Sequence, residues 1–310
     1  MRSSGTLMCL ASGAAFGAMA IFGKLAYGEG ATVATLLAVR FSLAAVVFWA
    51  IVLAGGGGAR REPCGVRRRD LGIAVALGAC GYALQAGCYF AALTRIDASL
   101  LSLMLYTYPA IVAAAAVALG RERIDARRVA ALALASGGLV CVVAGAGTGA
   151  IDPVGAALGL AAACVYTTYI LVSEGVAGRM RPMTLSAIVC TGAAVSLTAG
   201  GTLLGEFHPG ALTAAGWGWL TCLGGVSTVA AISLFFAGLR RVGPTAASIL
   251  STVEPVVTVV LAAAVFGELL SPVQLAGGAL VIAAVPVLHA SRVRMRRPVA
   301  AETELERAPA

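Results

Sequence analysis

The chain has 310 residues, of which 60% are hydrophobic and 12% charged, with a formal net charge of +8. An ordinary globular domain carries about 25% charged residues, so this composition excludes a typical water-soluble fold and indicates an integral membrane protein. The positive charge, which often marks nucleic-acid binding, has no soluble domain to carry it here.

A helix needs about 20 apolar residues to cross roughly 30 Å of hydrocarbon. Such runs are predicted at residues 7–27, 32–54, 71–93, 98–119, 128–146, 154–173, 184–204, 214–238, 244–266 and 273–290. The predicted fold is therefore an all-α integral membrane protein with ten transmembrane helices. The runs are continuous and rich in Ala, Leu and Gly, which disfavours the ten-residue alternations of a membrane β-barrel.

In chain order, Arg2 precedes an apolar run with a signal-peptide-like Ala18-Met19-Ala20. That run continues toward Lys24 without a polar break, so an uncleaved first helix is expected. Lys24 lies near the outer end of this helix and is expected to reach outward to the interface. Arg40 lies about 12 Å below the start of the second span, at 1.5 Å per residue. It either extends to the same interface or faces the bundle interior.

Gly55 to Gly58 with Ala59-Arg60-Arg61 reads as a flexible linker. It lacks the Gly-Lys-Ser/Thr ending of a phosphate loop, so no nucleotide hydrolysis is expected. Tyr82, Gln85 and Tyr89 then share one helical stripe in the third span, as do Tyr166 and Tyr169 in the sixth. Tyr82 and Gln85 are expected to line a path. Tyr89 and Tyr169 approach helix ends, where packing or interfacial roles compete with that reading.

Pro109 lies in the fourth span beside Tyr106, Thr107 and Tyr108, and Pro255 in the ninth follows Glu254. A proline has no N–H, so each leaves a carbonyl one turn earlier unpaired, at Leu105 and at Ser251. Both prolines read as hinges. Glu254 lies near the bilayer centre, where an ionised carboxylate costs about 3 kcal/mol. It is read either as a neutral packed acid or as a group that carries protons or meets a cationic part of the substrate.

Pro109 and Pro255 stand 146 residues apart, and the same offset pairs Phe90 with Phe236, Leu93 with Leu239, Arg95 with Arg241, Ser102 with Ser248, and Glu122 with Glu268. The chain therefore reads as a duplication, with a first repeat at 1–147, a second at 148–291, and a basic, disordered cytoplasmic tail at 292–310. Five spans per repeat force the second copy to insert upside down, an architecture of transporters rather than enzymes.

Basic residues set the orientation. Arg60, Arg61, Arg67, Arg68, Arg69, Arg121, Arg123, Arg127, Arg128, Arg179, Arg181, Arg240, Arg241 and the tail arginines all fall on one side if both termini are cytoplasmic. Lys24, Arg40 and Arg95 are the exceptions. The positive-inside rule therefore predicts an N-in and C-in topology.

Other polar and small residues read as structural. Glu122 and Glu268 follow helix ends, Ser271-Pro272-Val273-Gln274 has the form of a capping box, and Asp125 is placed to cap the fifth helix. The eight cysteines read as packing residues, and His208 and His289 lack partners at metal-ligand spacing, so no metal or cofactor is expected. Gly13, Gly17, Gly78, Gly81, Gly87, Gly224, Gly225, Gly277 and Gly278 are expected to allow close helix contact.

The run from Ser251-Thr252-Val253-Glu254-Pro255 to Phe266-Gly267-Glu268, its echo from Tyr106-Thr107-Tyr108-Pro109 to Glu122, Gly23-Lys24, and Val39-Arg40-Phe41 resemble the drug/metabolite transporter superfamily, specifically its EamA-type exporters. The resemblance implies a ten-helix secondary carrier with a central cavity suited to Tyr82, Gln85, Tyr108, Tyr166 and Glu254. Phe16-Gly17 departs from the Trp-Gly common in that family's first helix. The implied activity is export of small metabolites, amino acids or related compounds, across the cytoplasmic (inner) membrane by alternating access, with protons as an optional coupling ion. Arg40 is a candidate for a substrate carboxylate. A multidrug or lipophilic-cation exporter is the alternative. An intramembrane enzyme or a structural membrane protein is the remote reading, since the spans contain no catalytic constellation. The expected partners are a small-molecule substrate and the lipid bilayer; oligomeric state is left open.

Overall fold

The computed structural model describes residues 2–54, 67–120, 125–145 and 152–294. The Gly55–Gly58 linker, Glu122, Arg60, Arg61, Arg121, Arg123 and the tail from residue 295 lie outside the described residues. Those described form helices and short connections, with no strand among them. The helices are α1 (Ser3–Gly28), α2 (Val33–Ala54), α3 (Arg68–Leu93), α4 (Ala98–Ala118), α5 (Ala126–Ala144), α6 (Pro153–Ala177), α7 (Pro182–Leu203), α8 (Ala214–Val242), α9 (Pro244–Leu250), α10 (Val253–Phe266) and α11 (Pro272–Arg294).

Seven of these, α1 to α4 and α6 to α8, are long and apolar enough to cross a membrane, and α5, α10 and α11 contain shorter apolar stretches. The distribution of polarity fits a lipid surround. Large apolar side chains such as Val46, Leu84, Val140, Val195 and Val260 point outward, while Arg40, Gln85, Ser99, Thr107, Ser227, Thr228 and Thr258 are buried. Many hydroxyls are satisfied by their own helix, as where Thr167 donates to the Ala163 carbonyl and Thr191 to that of Ala187.

Helix starts follow from local chemistry. Asp152 accepts from the Val154 and Gly155 amides ahead of Pro153, and Thr213 accepts from the Gly216 amide. The predicted capping box is present: the Ser271 amide donates to Gln274 Oε1, and the Gln274 amide to Ser271 Oγ. Gly267, with φ +69, turns the chain out of α10 and into Glu268.

Five irregularities interrupt the described helices, the first a turn at Ala18 in α1. α3 contains a π-helical turn at Leu77–Tyr82 and α8 another at Gly225–Ala230. The chain leaves helical geometry at Tyr106–Thr107 in α4 and at Ser251–Thr252 between α9 and α10. Each of these two breaks precedes a proline, Pro109 or Pro255, as the missing N–H requires. The predicted spans 98–119 and 244–266 are accordingly two-part, not continuous.

Helix packing is paired: α5 lies along α11, α2 along α7, α1 along the second half of α8, and the second half of α3 along α6. Small residues allow these approaches. A Cβ on Gly78 would lie 2.2 Å from the Val189 carbonyl oxygen, and one on Gly277 or Gly138 would lie 2.6 Å from the other's carbonyl oxygen. Gly87 and Gly225 differ from the expectation, because no atom lies within 4 Å of where their Cβ would stand. Gly17 brings α1 against the backbone of Glu254, and Thr258 Oγ1 donates to the Gly17 carbonyl at 2.9 Å.

One end of the bundle holds the start of α1 against the end of α8, and there Asp70 accepts two hydrogen bonds from Arg179, at 2.8 and 3.1 Å. At the opposite end, Lys24 does not reach out to an interface as expected. Its Nζ lies 2.5 Å from Glu268 Oε1 and 3.8 Å from Asp97 Oδ1. Glu268 Oε2 accepts from both the amide and the hydroxyl of Ser99 at 3.1 Å, at the start of α4. Burial raises the Glu268 carboxyl, but the Lys24 ammonium and the Ser99 amide outweigh it and hold that carboxyl below its ordinary value.

Candidate functional site

Between these two ends lies a cavity of 280 Å³ lined by residues of α1, α3, α4, α6, α7, α8 and α10, together with Ser251. A second space of 80 Å³, closer to the Lys24 end, adds α2. Phe16, Tyr82, Tyr106, Tyr108, Tyr166 and Glu254 line both. The larger space reaches toward the Asp70 end through Leu185, Ser186, Phe235 and Phe236, so the path widens in that direction.

The proline breaks place the central groups. Pro255 leaves the Ser251 carbonyl without its usual helical donor, and the Tyr106 hydroxyl donates to that oxygen. Tyr106 comes from the corresponding break in α4. Its Oη also lies 3.3 Å from Glu254 Oε2, so the two breaks meet at the acid. Glu254 makes no ion pair among the described residues.

Aromatic rings extend away from this junction. Ring centroids lie 5.8 Å apart for Tyr106 and Tyr108, 4.7 Å for Tyr108 and Tyr166, 6.2 Å for Tyr166 and Tyr169, and 5.6 Å for Tyr169 and Tyr82. Such a wall offers negative ring faces and phenol oxygens beside a carboxylate, a surface suited to an amine or other organic cation.

A positive group faces the same space from the other side. Arg40 is 2% exposed, so it does not extend to the interface. Its Nε donates to Thr228 Oγ1 at 2.9 Å, and its guanidinium lies over the rings of Phe41 and Phe90, 5.0 and 5.4 Å from their centroids. Arg40 forms no ion pair with Glu254, although both line the 80 Å³ space. A cation and an acid thus share one chamber without neutralising each other.

All six residues expected at a site, Arg40, Tyr82, Gln85, Tyr108, Tyr166 and Glu254, line one or both of these spaces. Tyr89 and Tyr169, which sequence alone left between lining a path and a packing or interfacial role, also line the walls. Tyr106 and Phe16, which also line both spaces, and Thr228, which holds Arg40 from behind, were not expected. Tyr106 lies beside Pro109 in sequence, which is a usable signal; Thr228 has none beyond the Gly224-Gly225 pair before it. Among the described residues no group of three or more potential ligands is placed to hold a metal.

Comparison with known proteins places this geometry in context. The model of the EamA-like transporter family matches residues 3–144 and again residues 153–288. The chain is 26% identical over 283 residues to the uncharacterized transporter YcbK of Bacillus subtilis (strain 168), covering 89% of each chain. It is 32% identical over 152 residues to the uncharacterized transporter YwfM of the same organism, covering 49% of this chain and 50% of the relative. A solved crystal structure superposes with a TM-score of 0.64 at 22% identity, covering 96% of this chain and 100% of that one, a likeness of fold.

Proposed function

This chain belongs to the EamA-like transporter family and is a multi-pass membrane protein. On that premise we propose that it exports a small zwitterionic metabolite, an amino acid or close relative, across the cytoplasmic membrane by alternating access without ATP. The observation that carries this reading is the unpaired couple of Arg40 and Glu254 on one chamber. Arg40 receives the substrate carboxylate, and Glu254 with the tyrosine wall receives its ammonium. Tyr82, Gln85, Tyr108 and Tyr166 complete the binding surface, and the breaks beside Pro109 and Pro255 serve as hinges.

In this reading the chain spans the membrane ten times as two inverted five-helix repeats with both termini in the cytoplasm. The packing pattern supports the inversion. The 146 offset exchanges the pairing of α1 with α8 for that of α6 with α3, and carries the α2–α7 and α5–α11 pairings onto themselves. With the N-terminus inside, the chamber is wider on the cytoplasmic side, as loading an exporter requires.

Glu254 also suits a proton carrier. It lies on the chamber wall with only the Tyr106 hydroxyl, 3.3 Å from its Oε2 and shared with the Ser251 carbonyl, as a side-chain partner among the described residues. Substrate amine and proton then compete for one acid, which couples efflux to proton entry.

The test is counterflow of radiolabelled amino acids in proteoliposomes. At least one neutral amino acid is expected to accumulate, and Arg40→Gln and Glu254→Gln each abolish it. The tyrosine wall favours a second reading, an exporter of lipophilic cations. Counterflow of a quaternary ammonium probe with no amino acid moving would establish it in place of the first.

A further inference from the structure

Thr228 sits in the π-helical turn Gly225–Ala230 and is fully buried. In the regular parts of this bundle, Thr167, Thr168, Thr191 and Thr221 each donate to the carbonyl four residues back. Thr228 reaches five residues back instead, to Leu223, at 3.0 Å. The extra residue of the π turn rotates its hydroxyl out of the ordinary register. With its hydrogen committed to Leu223, the hydroxyl oxygen can only accept from α2, and it accepts from Arg40 Nε.

Three contacts then fix the guanidinium: this hydrogen bond and the faces of Phe41 and Phe90. Gly224 allows the approach, since a Cβ there would stand 3.0 Å from Leu43 and 3.4 Å from the Arg40 carbonyl. A guanidinium presents either its Nε side or its Nη end as a fork. The Nε side is occupied, and no partner holds the two Nη groups among the described residues, so the Nη end is left for the chamber that Arg40 lines.

We propose that Thr228 is a positioning residue that holds the Arg40 fork toward the chamber and thereby selects substrates that carry a carboxylate. The inference rests on the zwitterion reading above and adds to it a residue that touches no substrate. Its role predicts a split between two otherwise similar molecules, one with a carboxylate and one without.

The experiment measures counterflow in proteoliposomes with L-phenylalanine and with 2-phenylethylamine, its decarboxylated analogue. Thr228→Val is expected to raise KM for L-phenylalanine about tenfold with the maximal rate nearly unchanged, as for loss of one hydrogen bond to a charged group. KM for 2-phenylethylamine stays at its wild-type value, and Thr228→Ser restores the wild-type pattern. Arg40→Lys, which keeps the charge but lacks the Nε donor, gives the same split and serves if Thr228→Val does not fold. An equal rise for both molecules, no rise for either, or failure of Thr228→Ser to rescue would overturn the proposal. If wild-type protein moves neither molecule, the neutral amino acid that does accumulate and its decarboxylated amine take their place; wild-type protein that moves no neutral amino acid sinks the zwitterion reading itself and this inference with it.

Discussion

Tyr106 donates its hydroxyl hydrogen to the carbonyl oxygen of Ser251, which Pro255 deprives of its regular donor four residues on and which also accepts from the Glu254 amide at 3.0 Å. The helix defect in one half of the chain is thus satisfied by a side chain from the matching defect in the other. Tyr106→Phe removes that donor and is expected to lower stability in detergent by about 1 kcal/mol. It also frees the adjacent Glu254, so the pH dependence of counterflow should change along with the thermal midpoint. An unchanged pH profile would show that Tyr106 acts on the helix break alone.

Pro255→Ala tests the same junction from the other side. The introduced alanine brings an N–H that competes with Tyr106 for the Ser251 carbonyl and completes the helix there. The variant should unfold at a higher temperature yet transport more slowly, because a more regular helix resists the bending that a hinge supplies. A variant both less stable and slower would count against the hinge.

The pair of Lys24 and Glu268 predicts a pH-dependent stability. Glu268 titrates below its ordinary value in the folded chain, so its contribution is present above the carboxylate pKa of the unfolded chain, about 4.3. That contribution is lost as pH falls through the lower folded value. Lys24→Met leaves a largely buried carboxylate without its cation and should destabilise by about 2 to 3 kcal/mol, below the range for a fully buried pair because Lys24 is partly exposed. Glu268→Gln should cost less and flatten the acid side of the stability curve. Thermal unfolding from pH 7 to well below about pH 4 reads both.

Two glycines in α3 give opposite expectations for one substitution. Gly78→Ala places a methyl 2.2 Å from the Val189 carbonyl oxygen, a backbone atom that cannot step aside, and should destabilise by about 1 to 3 kcal/mol. Gly87→Ala meets nothing within 4 Å and should stabilise by about 0.5 to 1 kcal/mol through helix propensity alone. Thermal unfolding of the two variants side by side decides whether the close contact or the helix preference governs.

Much of the architecture is legible in the sequence because membranes impose simple rules. Apolar runs mark the helices, the two prolines mark the breaks, and Glu254 is conspicuous as an acid far from any predicted helix end. Legibility ends where a residue's partner is remote in sequence. Lys24 looks free to reach water because Glu268, its partner, lies 244 residues away. Tyr89 and Tyr169 are ambiguous because their facing depends on helix rotation, which the π turn at Leu77–Tyr82 alters for all that follows in α3. Thr228 is invisible for the same reason: a π turn leaves no periodicity to read. Gly87 and Gly225 show the converse, since a small residue signals a close contact only if a neighbouring helix is there to make it.

The contact of Gly17 with the Glu254 backbone, the Thr258 bond across it, and the Lys24–Glu268 pair tie α1 to α10 at mid-height and at one end. Two fastenings on one pair of rods make a splint. If α1 and α10 travel together, their joint seam with α4 is one along which the Lys24 end can open. The bonds that cross that seam include Ser99 to Glu268, Tyr106 to Ser251 and Glu254, and the 3.8 Å ion pair of Lys24 with Asp97. Spin labels on α1 and α10 should then keep their separation through the transport cycle while labels on α4 and α10 change theirs, and the acid would ride on the moving member.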